Sequence, residues 1–206
     1  MNRLRKLFAT FLTLIFVGFI PPSCCLMTDC GCGDISPENF YITAIDLSSI
    51  NSSYEEIDTS IYHINTEIYK TINIVEIDIV ALNSDNSGFS IYSTSYACDP
   101  IPSHALNPFS EIRLIAVNSF QLDSDQDIIN SGQDITNRFE ISRFGSNSFK
   151  SINSFINDRL FIYRHDNFRI RLVNKPLEPT NMRLNISIQL NDGTLYEFNN
   201  EIMNVE

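Results

Sequence analysis

From Phe40 to the C-terminus the chain is a succession of short segments in which apolar and polar residues alternate, set apart by clusters of Asn, Asp, Ser, Gly and Pro. Period-two alternation puts every second side chain on one face of an extended strand. Turn residues at this frequency leave no room for long helices. Ile72–Leu82 shows the pattern most clearly. Ile72, Ile74, Glu76, Asp78 and Val80 fall on one face, and Val75, Ile77, Ile79 and Ala81 on the other. The second set, free of charge, is expected to face the core.

Further strands are expected at Phe40–Leu47, Phe89–Cys98, Glu111–Phe120, Leu160–Arg164, Phe168–Val173, Met182–Leu190 and Thr194–Phe198. Pro100 and Pro102 lack the N–H that a sheet ladder needs and separate two of them. Asn191-Asp192-Gly193 supplies the positive φ angles of a tight hairpin, so the C-terminal third reads as a β-meander. Gln121–Thr136 is polar and acidic, a loop by composition. One helix is expected within Ser146–Asp158, where Phe149, Ile152, Phe155 and Ile156 fall at helical spacing behind Ser146 or Asn147 as cap. A lone helix cannot supply the crossovers of a parallel sheet. The fold class that follows is all-β, an antiparallel sandwich with the immunoglobulin-like arrangement as one form of it and at most one short helix.

The first residues belong to a different regime. Arg3, Arg5 and Lys6 precede an apolar run from Leu7 to Ile20, then Pro21-Pro22-Ser23 and Cys24. Basic, apolar, then small is the order of a secretory signal. The apolar run falls short of the roughly 20 residues a helix needs to cross the hydrocarbon core. Ser23 suits a signal peptidase, and the Cys24 thiol is placed for acylation in the bacterial lipoprotein manner, although Pro21 and Pro22 depart from the usual aliphatic lipobox. Two or more acyl chains, each buried methylene contributing about 0.8 kcal/mol, anchor a protein stably. The expected organisation is a signal at 1–23, a Cys-rich tether at 24–38 and a single sandwich domain at 39–206. The simpler alternative is an ordinary secreted chain cut nearby.

Charge narrows the partners. The formal net charge is −11, and removing residues 1–23 leaves 11 basic against 25 acidic residues, a net of −14. Nucleic acid is disfavoured, since phosphates call for Lys and Arg, and so is docking on anionic lipid through a basic patch. The nearest approach to a basic cluster is Arg164, Arg169 and Arg171. Arg169 and Arg171 share a strand face, expected to be solvated.

Once Cys24 is lipidated, Cys25, Cys30, Cys32 and Cys98 are the disulfide candidates, with three connectivities open. Cys30 and Cys32, close neighbours in sequence, would be strained as a pair, so one of them joined to Cys98 is preferred. That bond would close a loop of roughly 65 to 75 residues and stabilise by a few kcal/mol. As a metal or redox site the cluster lacks paired C-x2-C spacing and a neighbouring His.

Asp123, Asp125, Asp127, Ser131 and Asp134 fall at positions one, three, five, nine and twelve of a calcium-loop pattern. Against that, Ile128 stands where the turn wants Gly, and Asp134 stands where a bidentate Glu is usual; a solvated acidic loop is the plainer reading, so no cofactor is assigned beyond this candidate calcium site. His63, His104 and His165 are scattered, with no nucleophile elbow or zinc-binding helix around them, so no catalytic residue is assigned. Tyr92 and Tyr96 share a strand face and could serve as a sugar platform, weakened by the absence of Trp.

The Pro-Pro-Ser-Cys-Cys start, the Tyr96-Ala97-Cys98-Asp99-Pro100-Ile101-Pro102 segment followed by the Ile112–Ser119 strand, and the Leu190-Asn191-Asp192-Gly193 hairpin resemble a family of Bacteroidota-type cell-envelope lipoproteins. That resemblance implies an envelope address, at the outer membrane, and brings no catalytic residues. The function expected is a non-catalytic lipid-anchored binding or structural module for an envelope protein or glycan. A calcium-stabilised adhesion-type module and an envelope hydrolase are the alternatives.

Overall fold

The computed structural model of the chain describes residues 38–59, 68–80, 102–122, 128–158, 161–174, 176 and 179–205. The expected strand at Phe89–Cys98, Tyr92 and Tyr96, the signal, residues 24–37 of the tether and the five cysteines all lie outside these residues. So do His63, Asp123, Asp125 and Asp127.

Strand β9 (Thr180–Leu190) is the simplest element. Its residues Met182, Leu184, Ile186, Ile188 and Leu190 are all buried, alternating with more accessible Arg183, Asn185, Ser187 and Gln189. A turn with Gly193 at φ 90° reverses the chain into β10 (Leu195–Val205), antiparallel to β9. The other side of β9 pairs antiparallel with β3 (Phe109–Ala116). The second sheet contains β1 (Phe40–Asn51), β2 (Ile68–Ile79), β8 (Asn167–Leu172), β6 (Phe139–Arg143) and the two-residue β7 (Lys150–Ser151), in that spatial order. A small ribbon, β4 (Phe120–Gln121) with β5 (Ile128–Ile129), interrupts the expected loop at Gln121–Thr136.

Taken as successive strands A to G, β1, β2, β3, β6, β8, β9 and β10 give A-B-E-D in one sheet and G-F-C in the other. That is the strand order of the seven-stranded immunoglobulin-like sandwich. The two inner faces share one apolar core, with Ile72, Phe139, Ile141, Phe168 and Ile170 from one sheet and Ile112, Leu114, Leu184, Ile186 and Ile188 from the other. Phe168 takes Phe109 of the opposite sheet edge to face, centroids 5.2 Å apart. The all-β sandwich expected from alternation is therefore the observed fold.

Several local expectations are corrected. In β2 the supposed core face is mostly the outer one. Ile72 is fully buried and Ile74 packs on the core, whereas Val75 is 55% exposed. The cause is a double irregularity: Ile42 pairs with Ile77, Ala44 with Glu76, and Ile45 with Ile74, leaving Thr43 and Val75 without opposite numbers. A bulge reverses the inward set of a strand, so Ile77 faces in again on its far side. β10 continues past Phe198 by the same device. Asn200, at φ 58°, lets one extra residue into the strand between Phe198 and Glu201, and the inward set becomes Glu201, Met203 and Val205.

The C-terminal third is not a simple meander, because β8 belongs to the other sheet and only β9 and β10 are paired neighbours. Strand β6, five residues long, was too short and too polar to stand out. The expected strand at Leu160–Arg164 reduces, among the described residues, to a single bridge from Tyr163 to His104. The helix α1 is Ile152–Asn157, capped by Ser151, whose Oγ accepts from Ser154 N–H at 3.3 Å. Ser146 and Asn147 do not cap it, since Lys150–Ser151 first pair with β6. Ile152 and Phe155 are the residues it buries.

Candidate functional site

Chemistry gathers in two places on this sandwich. The first is an open cleft of about 470 Å3 at one end, between the lead-in to β3, helix α1 and the segment at Phe161. That volume lies within the range of small-ligand or side-chain pockets. Phe109 and Phe155, both buried in the core, contribute its apolar wall together with Ile156, and Leu106 and Phe161 form exposed parts of it. Phe161 is 60% exposed. Among the described lining residues the polar groups are His104 and Asn191, with no hydroxyl, thiol or carboxylate side chain.

The backbone fixes these walls. Ala105 N–H donates to Ile162 O at 2.8 Å, Leu106 N–H to Phe40 O at 2.8 Å, and Asn191 N–H to Pro108 O at 2.9 Å. Arg143, at the end of β6, donates from Nη2 to Phe161 O at 2.5 Å and pairs with Asp166 at 3.2 Å. The His104 ring meets Phe161 edge-on at 4.8 Å. The exposed aromatic is thus held from its backbone and from its ring. Pre-organisation of this kind lowers the entropy cost of taking up a ligand.

Next to the cleft, Asn107 ties β1 to the β9–β10 turn. It accepts from Ile42 N–H at 2.7 Å, donates back to Ile42 O at 3.1 Å, and donates to Asp192 Oδ2 at 2.8 Å. Asp192 also accepts from Thr194 N–H at 2.9 Å. The Thr194 amide first, then Asn107, hold the Asp192 carboxyl below its ordinary pKa. Tyr196 is shifted the opposite way, raised by burial and by the negative charge of Asp192.

The second place is the outer face of the five-stranded sheet. Arg169 and Arg171 do share it, but Arg169 is buried, at 3% exposure, where a solvated arginine was expected. Its guanidinium lies 5.0 Å from the ring centroid of Tyr54, 5.1 Å from Tyr69, 5.3 Å from Phe149 and 5.9 Å from Phe144. Arg171 stacks on Phe149 at 3.9 Å and pairs with Glu140 at 2.9 Å. Burying a cation this far is tolerated because ring faces attract it and because Ser146 O accepts from Nη2 at 2.6 Å. Alternation alone placed the two arginines together; the loops that bring the rings over them carry no sequence signal.

The remaining candidates are dispersed. Asp134 is exposed and its Oδ1 accepts from Thr136 N–H at 3.0 Å and Thr136 Oγ at 2.7 Å. Ser131 Oγ donates to Val117 O at 2.6 Å. Asp134 is thus engaged in a local turn and Ser131 in a bond to the segment after β3, and Ile128, of the same pattern, sits in β5. Among the described residues, no group of three or more His, Cys, Asp or Glu side chains is placed to hold a metal ion. His165 and Arg164 are exposed in a turn, and His104 belongs to the cleft. Among the described residues no helix is long and apolar enough to cross a membrane.

No protein-family model and no curated protein matches this chain. Among solved structures, it is similar to the C-terminal domain of the Streptococcus pyogenes antigen I/II-family protein AspA, with 12% identity over 75% of this chain and 44% of that one, at a TM-score of 0.25. The C-terminal domain of the Streptococcus agalactiae AgI/II polypeptide BspA matches with 11% identity over 79% of this chain and 48% of that one, at a TM-score of 0.26. The chain spans less than half the length of either domain. The sandwich assignment rests on the strand order described above.

Proposed function

We propose that this chain is an exported, lipid-anchored envelope protein whose sandwich is a non-catalytic binding module, with Cys24 acylated at the outer membrane and the end cleft receiving an apolar side chain of a protein partner. The cleft carries this reading. An exposed aromatic that is fixed from several sides, above a wall of buried rings, is what an anchor residue needs in order to dock. Among the described residues the lining offers one imidazole and one amide, and no nucleophile beside a base, which supports binding over hydrolysis. The order of basic, apolar and small residues ahead of Cys24 supports the export half.

One experiment addresses both halves: a photo-crosslinking residue placed at Phe161 of the full chain in its native envelope, with mass spectrometry of the adducts and of the N-terminal peptide. The expected result is a discrete protein adduct, absent when the crosslinker stands at exposed Val173, on a chain that begins at acylated Cys24. An adduct pattern equal to the Val173 control would remove the cleft from consideration. A retained 1–23 segment would overturn the anchor.

A further inference from the structure

The buried arginine on the outer sheet face leaves two polar atoms unaccounted for. Arg169 Nε and Thr71 Oγ1 are both buried without a hydrogen-bond partner. They are neighbours, since Thr71 pairs directly with Arg169 across β2 and β8 and both point to the same face. Orphaned buried donors are rare in folded proteins, and where they occur a bound water or ion is a usual reason. Arg169 also has no carboxylate partner among the described residues, whereas adjacent Arg171 is neutralised by Glu140. A cation with a free Nε–H beside a free hydroxyl is a donor pair suited to one oxyanion.

Two half-exposed rings cover this pair. Tyr54 and Phe144 meet at 5.0 Å, and they are 45% and 43% exposed. Tyr54 has φ 65°, a left-handed backbone that a bulky side chain adopts only when its surroundings impose it. Asn51 imposes it, its Oδ1 accepting from Ser53 and Glu55 N–H at 2.9 Å each. Across from it, Gly145 at φ 79° turns the chain just after Phe144.

We propose that Arg169 and Thr71 form a covered site for the carboxylate of an acidic sugar, with Tyr54 and Phe144 as a cover that opens to admit it and then packs against the pyranose ring. The guanidinium fork reads the carboxylate, and the half-exposed rings supply the apolar platform that a sugar face uses. This site is separate from the end cleft and does not depend on the reading given to it.

The test is titration of the full chain at physiological salt with sodium glucuronate, with glucose and with sodium acetate, followed by NMR. Saturable glucuronate binding is expected, with no glucose binding over the same range and acetate weaker by about tenfold or more. R169K keeps the charge among the rings and removes the Nε–H, so glucuronate affinity is expected to fall by about tenfold with the fold retained. Tyr54→Gly relieves the strained turn and uncovers the arginine; acetate should then bind more tightly and the preference for glucuronate should shrink. Phe161→Ala, in the end cleft, should change none of this. Failure of glucuronate to bind, or equal binding by R169K, would show that the two polar atoms serve an internal water only and would overturn the site. Equal affinity for acetate and glucuronate would overturn the sugar assignment, and an unchanged profile in Tyr54→Gly would overturn the cover. If R169K fails to fold, the Tyr54→Gly titration decides by itself.

Discussion

Strands β2 and β9 are both interior strands of their sheets, each paired on two sides, yet only β9 obeys the alternation written in its sequence. In β9 the outer side chains are polar, the inner ones are apolar, and no residue is unpaired between Thr180 and Leu190. In β2 the bulge at Val75 reverses the inward set, and Tyr69 and Thr71 on the outer face are as buried as the core because two loops cover them. Alternation reports burial where a sheet has one covered face. It fails where both faces are covered or where the register slips.

The comparison can be broken most forcefully in the regular strand. Leu184→Ala opens a cavity between the two sheets and is expected to cost about 2–5 kcal/mol in a urea melt, whereas Val75→Thr, the corresponding test in β2, should stay within about 0.5 kcal/mol. A large loss at Val75 would show that the bulge is not where the register places it. Next comes the charge that β2 sends inward. Lys70, 3% exposed, pairs with Glu201 across the sandwich at 2.8 Å. Lys70→Ala leaves a largely buried carboxylate uncompensated and should cost about 2–4 kcal/mol, while the double change Lys70→Met with Glu201→Leu should recover most of it. A double variant no better than the single one would mean that the pair specifies the bulged register of β10.

A smaller effect is expected where β1 is tied to the β9–β10 turn. Asn107→Ala leaves the Ile42 amide unsatisfied, at about 1–3 kcal/mol by chemical denaturation. The smallest effect is at Asp192, which is exposed. Its pKa is held below 3.8 in the folded chain, so its stabilisation is fully present above that value and lost as the pH falls through the folded pKa. Asp192→Asn should therefore remove that contribution near pH 7, converge with the parent chain in acid, and so flatten the acid limb of a stability–pH profile below about pH 4. An unaltered acid limb would show that its hydrogen bonds to Thr194 and Asn107 persist when the carboxyl is protonated.

The candidate sites were only partly legible. Sequence spacing put Arg169 and Arg171 on one strand face, and composition marked Pro100-Ile101-Pro102 as a break before β3. Nothing in either signal brings Phe161 to Leu106, or Tyr54 and Phe144 over Arg169, because each pairing joins residues 25 or more positions apart and depends on how loops fold back. β6 is illegible for a related reason: five residues ending in Ser142 and Arg143 gain strand character from β8 and β7 on either side of them.

By itself the sequence determined the fold class, the Asn191-Asp192-Gly193 hairpin and the inner face of β9, since a two-residue period and a glycine-bearing turn act locally on the backbone. Only the tertiary structure decided which way β2 faces, where β10 ends, that Arg169 is buried, and that an apolar cleft stands open beside α1. Register, bulges and covered outer faces come from contacts between distant segments, whose energies are set by what each residue meets and not by what precedes it in the chain.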